Sequence, residues 1–487
     1  MTSPAEVDDP DGLDLAPPPL ATFDTAPKRL LIPRWMLLVG LIIAQALLAR
    51  YMTQIPRLGQ IQAVMILALV GYGALKRNTP LMLCIAAYLP GAEIVWRQAH
   101  VTLPYLFAPY TLTAIAVLSL ITCYPSINRI GREALLYFAL LIPSSLITFS
   151  IAQHGGRKLV SFALSGAAAL AALTMLFSQV AIRPWLYRRL LWVMLISGVG
   201  PLSVALTAIS DYIVNVGTLE FNGESNSVTS GGFGPVQVSS LMGLTVLVAV
   251  LLVLAERDVA TRVIAGVVGI WSATQSLLTF SRGGMFAVAI AVAGLVVVQA
   301  WNREARRKVF ALVGVSLLIG YYIIIPRLDA FTRGGLEERF SDTQTGRTTL
   351  AHNDIQIFLE HPVFGVGPGM SKYRRLPYEI CELRSDRCNY EGSSHTEFTR
   401  MIAEHGSVGL AAMAILLLLA FHAIRRAGPS LAFTVVMLLW AIAQMVYANM
   451  RIAAVPFAFA LAFIQIRDPN DDPVTEEPDP TLEPAIS

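Results

Sequence analysis

Apolar stretches of bilayer length, most of them flanked by basic or small polar residues, recur along the whole 487-residue chain. They predict helices near 31–50, 58–75, 79–96, 104–123, 133–151, 159–182, 187–210, 234–255, 263–280, 283–301, 309–326, 398–424, 430–448 and 452–466. The last stretch is short for a hydrocarbon core of ~30 Å and holds Pro456, so it and its neighbour also read as a re-entrant pair. The expected fold is an all-α polytopic membrane protein of about 12–14 transmembrane helices with one large extracytoplasmic helical loop.

The same pattern divides the chain. Residues 1–29 form an acidic, proline-rich tail, the reverse of a charged and then apolar leader, and read as disordered. Helices 1–11 occupy 30–326, a loop domain 327–397, the C-terminal membrane helices 398–466, and a second acidic tail 467–487. Within the loop domain, Arg347, Leu350, Ala351, Asp354, Ile355, Phe358 and Leu359 fall at i, i+3, i+4, i+7 spacing, the mark of an amphipathic helix of about four turns. Pro362 closes it, and the following FGVGPGM places glycine at 365, 367 and 369, where the backbone can approach a ligand or another helix.

Charge adds the orientation. Nineteen of the 36 Lys and Arg residues cluster in alternate connections, around Lys28, Lys76, Arg129, Arg188, Arg257, Arg306, Arg425 and Arg467. By the positive-inside rule these lie in the cytoplasm, both termini with them, and 327–397 faces the periplasm or cell exterior. Composition, at 55% apolar and 14% charged, fits the membrane reading. The chain has no GxxxxGK[ST], HExxH or GxSxG and no basic-aromatic surface, so nucleic acid is not an expected partner.

Cys381 and Cys388, in the outer loop as CELRSDRC, are expected to form a disulfide, because that compartment is oxidising and the loop they close is small. Two thiols without a nearby histidine pair make a poor zinc site, and no metal site is expected. Cys84 and Cys123 fall within spans as small apolar packing residues. The polar connection 211–233 reads either as a plain loop or as a lining for an acceptor.

Three placed residues carry candidate chemistry. Arg282, in TFSRGGM at an outer turn, has glycine neighbours that leave its guanidinium accessible; the alternative is an interface anchor. Arg347 opens the amphipathic helix, where a cation opposes the helix dipole but joins free N–H groups in an anion site; the alternative is a surface pair with Asp342 or Asp354. His395 stands at the membrane boundary, where an imidazole can accept a proton near neutral pH; the alternative is a structural histidine bonded to a loop carbonyl. Glu397, Arg400 and Glu404 then follow on one helical face as a charge ladder, with Gly406 and Gly409 allowing close helix packing.

SRGG at an outer turn, then RTTLAHNDIQIFLEHPVFGVGPG, then SSHTEFTRMIAEHGSVGL, resembles the O-antigen ligase and polymerase superfamily of bacterial membrane glycosyltransferases, across about 280–412. The resemblance implies an enzyme of the bacterial inner membrane that moves glycan from an undecaprenyl-pyrophosphate carrier to an acceptor hydroxyl on the periplasmic side. The acceptor is a glycan or a lipid-anchored sugar, no cofactor is needed, and polysaccharide assembly proteins are potential partners. Carried onto this chain, it makes Arg282 and Arg347 the pyrophosphate ligands and His395 the base. The family pattern has asparagine after that histidine; here Thr396 follows and then Glu397, so Glu397 joins His395 as a candidate proton acceptor. With no carboxylate pair placed as nucleophile, a one-step inverting transfer is expected. Two readings from other classes stand beside it: an anion (bicarbonate-like) transporter, and a non-catalytic partner in a polysaccharide assembly.

Overall fold

The computed structural model describes residues 32–152, 155–217, 219, 221, 225–300, 303–341, 347–375, 396–447 and 449–467. In chain order its helices are α1 (Arg34–Gln54), α2 (Arg57–Leu75), α3 (Thr79–Gln98), α4 (Phe107–Cys123), α5 (Arg129–Leu141), α6 (Ser145–Ile151), α7 (Gly156–Phe177), α8 (Pro184–Val216), α9 (Pro235–Ala255) and α10 (Val259–Leu278). There follow α11 (Arg282–Gln299), α12 (Arg303–Ile319), α13 (Ile325–Thr332), α14 (Gly335–Ser341), α15 (Arg347–Glu360), α16 (Ser371–Arg374), α17 (Glu397–Arg426), α18 (Leu431–Met445) and α19 (Ala454–Leu461). The protein is an all-α polytopic membrane protein, since among the described residues eleven helical units are long and apolar enough to cross a bilayer.

Eleven is fewer than the fourteen stretches read from the sequence, and each difference has a packing reason. α4 is apolar but only 17 residues long. α10 buries Thr261, Ser272, Gln275 and Ser276 against protein, so it need not be apolar throughout. α19 has eight residues, all buried between other helices. It leads to β2 (Gln465–Ile466), which pairs in parallel with β1 (Ala181–Ile182) and ties the end of the described chain to the α7–α8 connection. The span expected at 309–326 runs longer, as α12, a π-helical turn at Gly320–Ile324 and α13 form one rod over Ala305–Thr332.

Small residues bring the helices together. Gly91 of α3 lies so close to Ser197 of α8 that a Cβ there would strike the Ser197 carbonyl, and a Cβ at Gly198 would meet the Thr245 side chain of α9. Large side chains turned away from these contacts, such as Leu37, Leu41, Ile43 and Leu47 of α1, are exposed as a lipid-facing surface requires. Helix starts at one end are capped by side chains: Asn78, Asn128 and Asp258 accept from Leu81, Gly131 and Thr261.

Two sets of long-range contacts mark opposite ends of the bundle. At one end Arg34 binds Glu256 through two hydrogen bonds of 3.0 and 2.7 Å, His422 Nδ1 meets Glu133 at 2.8 Å, and Arg426 donates to the Ser178 carbonyl. At the other, Glu93 accepts from the Ala453 amide, Gln98 donates to Ser230, and Ser144 reaches His405. The first set includes residues of the basic-rich connections, and the second lies at the end where Thr148 of α6 meets Pro368 of the loop domain. Both tails, 1–29 and 467–487, lie outside the described residues except for Arg467, which donates its amide to Ile182.

Candidate functional site

α17 is broken. Gly406 has φ 62° and ψ −144°, a conformation open to glycine and hardly to any other residue, so the helix stops being continuous within its third turn from the loop domain. The sequence reading gave 398–424 as one uninterrupted span with Gly406 as a packing residue. The break frees backbone groups that a bilayer core cannot satisfy. The glycine-rich turn after α15 takes them up. Val366 and Gly367 donate their amides to the carbonyls of Ala403 and Glu404 at 3.0 and 2.9 Å, and Ser407 donates to Pro362 at 2.7 Å. The approach is close on both sides: a Cβ at Gly365, itself at φ 65°, would lie 2.5 Å from the Ala403 carbonyl, and one at Gly406 would lie 2.5 Å from that of Val363. The turn sits on a second support as well, because Thr148 of α6 donates to Pro368 at 3.0 Å.

This docking fixes α15 against the first part of α17. Asp354 is fully buried and accepts from Arg375 Nε and Nη2 at 2.9 and 2.7 Å and from Thr399 Oγ1 at 2.9 Å. A buried carboxylate needs such partners to stay charged. Arg375 is itself buried, so this pair joins α15, the segment after α16, and α17 in one ionic joint. Thr396 caps α17, accepting from the Thr399 amide at 3.1 Å.

The charge ladder at the start of α17 faces inward. Arg400 pairs with Glu397 and, at 2.8 Å, with Glu404, all three buried, and Ser371 donates to the other oxygen of Glu404 at 3.0 Å. Glu397 Oε2 is buried with no hydrogen-bond partner among the described residues. His405, the residue after Glu404, shares a hydrogen bond of 2.5 Å with Ser144 Oγ. Arg451, in the turn before α19, lies over the Phe162 ring at 4.6 Å. Burial, and then the nearby positive Arg400, pull its guanidinium below the ordinary arginine pKa.

Arg282 is the first residue of α11 and is half-buried. Its turn is held from three directions. Asn226 donates to the Thr279 carbonyl at 3.0 Å, Arg339 of α14 donates to that of Phe280 at 3.1 Å, and Ser239 of α9 donates to that of Ser281 at 2.9 Å. Phe280, fully buried, takes a left-handed conformation with φ 56° and stacks on Phe221, ring centroids 4.9 Å apart. The two glycines after Arg282 are required by space, since a Cβ at Gly284 would strike the Ser239 carbonyl and one at Gly283 would press on the Tyr447 ring at 3.0 Å.

The structure thus places Arg282 on one buttressed turn and Glu397 in a buried ionic ladder at the same end. Arg347 is the first residue of α15, and its side chain is outside the described set. His395 and the cysteines 381 and 388 lie outside the described residues. Cys84 and Cys123 are half-buried free thiols. Sequence reasoning missed three elements: the Asp354–Arg375 joint, the His405–Ser144 bond and the burial of Glu93, whose Oε1 accepts from Arg97 at 2.5 Å. Only the last had a readable signal, a glutamate and an arginine at i, i+4 near the end of an otherwise apolar span.

Residues 267–414 match the family described as O-antigen ligase, a segment that includes Arg282, Arg347, His395 and Glu397. No curated protein matches the chain.

Proposed function

We propose, for a chain whose residues 267–414 match the family described as O-antigen ligase, that it transfers or polymerises glycan from an undecaprenyl-pyrophosphate carrier onto an acceptor hydroxyl at the periplasmic face of the bacterial inner membrane. The observation that carries this reading is that the matched segment contains all four candidate residues together with the Arg282 turn, α15 and the first part of α17 with its break at Gly406.

In the proposed reaction the acceptor oxygen attacks the anomeric carbon as the bond to the pyrophosphate oxygen breaks. The proton leaves to His395, and undecaprenyl pyrophosphate departs with the bonding pair. Arg282 and Arg347 bind the diphosphate and stabilise the charge that grows on it, which fixed guanidinium groups do in a site of low dielectric. Glu397, two residues beyond His395, keeps one carboxylate oxygen beyond its pair with Arg400 and shares in holding the proton or orienting the imidazole. A single displacement inverts the anomeric carbon. Ligase and polymerase differ in acceptor alone, a lipid-anchored sugar or a growing chain.

The test is the surface and lipid-linked glycan of a deletion strain complemented with wild type, Arg282→Ala, Arg347→Ala or His395→Ala, with membrane expression matched. Each substitution is expected to abolish polymeric or ligated glycan. Long lipid-linked chains would then identify a ligase and single repeat units a polymerase. Unchanged glycan in all three variants would overturn the site and turn attention to anion transport or a non-catalytic role.

A further inference from the structure

At the end of the bundle that carries Arg282, a cavity of about 320 Å³ opens between the ends of α3 and α4 and the segment leading into α9. Its wall includes Trp96, Arg97, His100, Tyr105, Phe107 and Phe233. The volume is at the lower limit of the ~300–1,000 Å³ common for small-molecule sites, room for a ring or two and not for a chain.

Arg97 is fixed before any ligand arrives. Its guanidinium carbon lies 4.0 Å from the centre of the Tyr105 ring and 5.5 Å from that of Phe233. Nη1 donates to Tyr105 Oη at 2.9 Å and Nη2 to Glu93 at 2.5 Å, while the second oxygen of Glu93 accepts from the Ala453 amide at 2.7 Å. The Arg97 side chain is only 8% exposed, and its Nε is buried with no hydrogen-bond partner among the described residues. Tyr105, by contrast, is 51% exposed.

These features select a ligand class. A lipid chain would use the aromatic wall but gain nothing from Arg97, Glu93 and His100. An inorganic anion would not need the rings, and it would meet Arg97 already neutralised by Glu93. A sugar ring matches both, with C–H faces for the aromatic surfaces and hydroxyls for fixed donors and acceptors. The position is telling too. Gln98, next to Arg97, donates to Ser230 at 2.9 Å, Thr229 Oγ1 donates to Leu278 at 2.6 Å, and Asn226 donates to Thr279. One short segment, 225–234, therefore runs from the cavity to the turn that presents Arg282. None of the cavity residues falls within 267–414.

We propose that this cavity is a sugar-binding subsite that seats one ring of the acceptor glycan, stacked at Tyr105 and Phe233 and hydrogen-bonded at Arg97 and His100. The assignment to the acceptor rests on the transferase reading above.

The experiment uses the full chain in amphipol, free of sugar detergents. The probe is the radiolabelled oligosaccharide released by mild acid from lipid-linked glycan of the deletion strain, measured by equilibrium dialysis. Wild type is expected to bind it, Tyr105→Ala and Phe233→Ala to bind at least tenfold more weakly, and Tyr105→Phe to stay within about threefold. Arg282→Ala is expected to bind as wild type does while failing to transfer. Absence of binding by wild type, or binding by the two alanine variants as tight as that by wild type, overturns the subsite. Competition by inorganic pyrophosphate as strong as that by unlabelled oligosaccharide would mark an anion site and overturn it as well. In a transfer assay Tyr105→Ala should raise the acceptor KM at least tenfold and leave the donor KM within twofold; a raised donor KM alone overturns the acceptor assignment. Binding without transfer by wild type would sink the transferase reading and keep a glycan subsite, whereas transfer without binding would do the reverse.

Discussion

Gly406→Ala tests whether the break in α17 is a built feature. The native backbone at φ 62° and ψ −144° is in a region that costs a residue with a Cβ about 1–3 kcal/mol. The new methyl would also lie 2.5 Å from the Val363 carbonyl and 2.7 Å from the Gly365 amide, so the glycine turn must move away. That movement strains at least two of the docking hydrogen bonds, Ser407 to Pro362 and Val366 to Ala403, each worth about 1 kcal/mol net. The sum is roughly 3–5 kcal/mol, on the order of a hundredfold to several thousandfold in the folding equilibrium. Thermal unfolding of purified protein at fixed detergent and protein concentration reads the loss. Gly71→Ala is the control, because nothing lies within 4 Å of a Cβ there and helix propensity favours alanine by up to about 1 kcal/mol. Gly365→Ala should cost as much as Gly406→Ala, and the double variant less than the sum, since both break one docking. Gly406→Ala melting together with Gly71→Ala would refute the reasoning, and the close approach of the turn to α17 would have to be abandoned.

Further expectations concern the ionic joints and the chemistry. Arg375→Ala leaves Asp354 charged and buried, at a cost of about 3–5 kcal/mol, and adding Asp354→Asn should recover part of the lost melting temperature. Gly284→Ala drives a Cβ into the Ser239 carbonyl, so it should lower stability and transfer together, and Ser239→Ala should not rescue it because the clash is with backbone. Product NMR is expected to show inversion at the anomeric carbon relative to the donor; retention would exclude the one-step reaction. Activity should survive exhaustive chelation, since the charge on the leaving diphosphate is assigned to guanidinium groups; a loss restored by added divalent cation would contradict that assignment.

Fold class was readable because apolar length and alternating basic flanks are one-dimensional signals. The contacts Arg34–Glu256 and His422–Glu133 join basic-flanked connections that lie far apart in sequence, as that alternation implies. Helix number was less readable. In α10 and α19 the neighbours that surround the helix decide what it must contain, and neither polar Gln275 nor eight-residue brevity is penalised when protein and not lipid lies outside. The glycines of FGVGPGM were correctly read as sites of close approach, but their target, the backbone at 403–407, depends on a helix break that no periodicity reveals. Asp354 was paired in the sequence reading with Arg347 as an alternative; its neighbours Arg375 and Thr399 come from segments that only the docked turn brings near. The roles assigned to Arg282, Arg347, His395 and Glu397 came from motif resemblance and helix-end chemistry, and they remain proposals to be settled by substitution.

The most direct measurement is a cell-free reaction of the purified chain with lipid-linked glycan and acceptor, following the new glycosidic bond and free undecaprenyl pyrophosphate together. The account predicts that the two products appear in equal amounts with wild type, and that His395→Ala lowers both at least a hundredfold while the protein stays folded. Glycan transfer by His395→Ala at the wild-type rate, or glycan transfer without release of the lipid pyrophosphate, would contradict it.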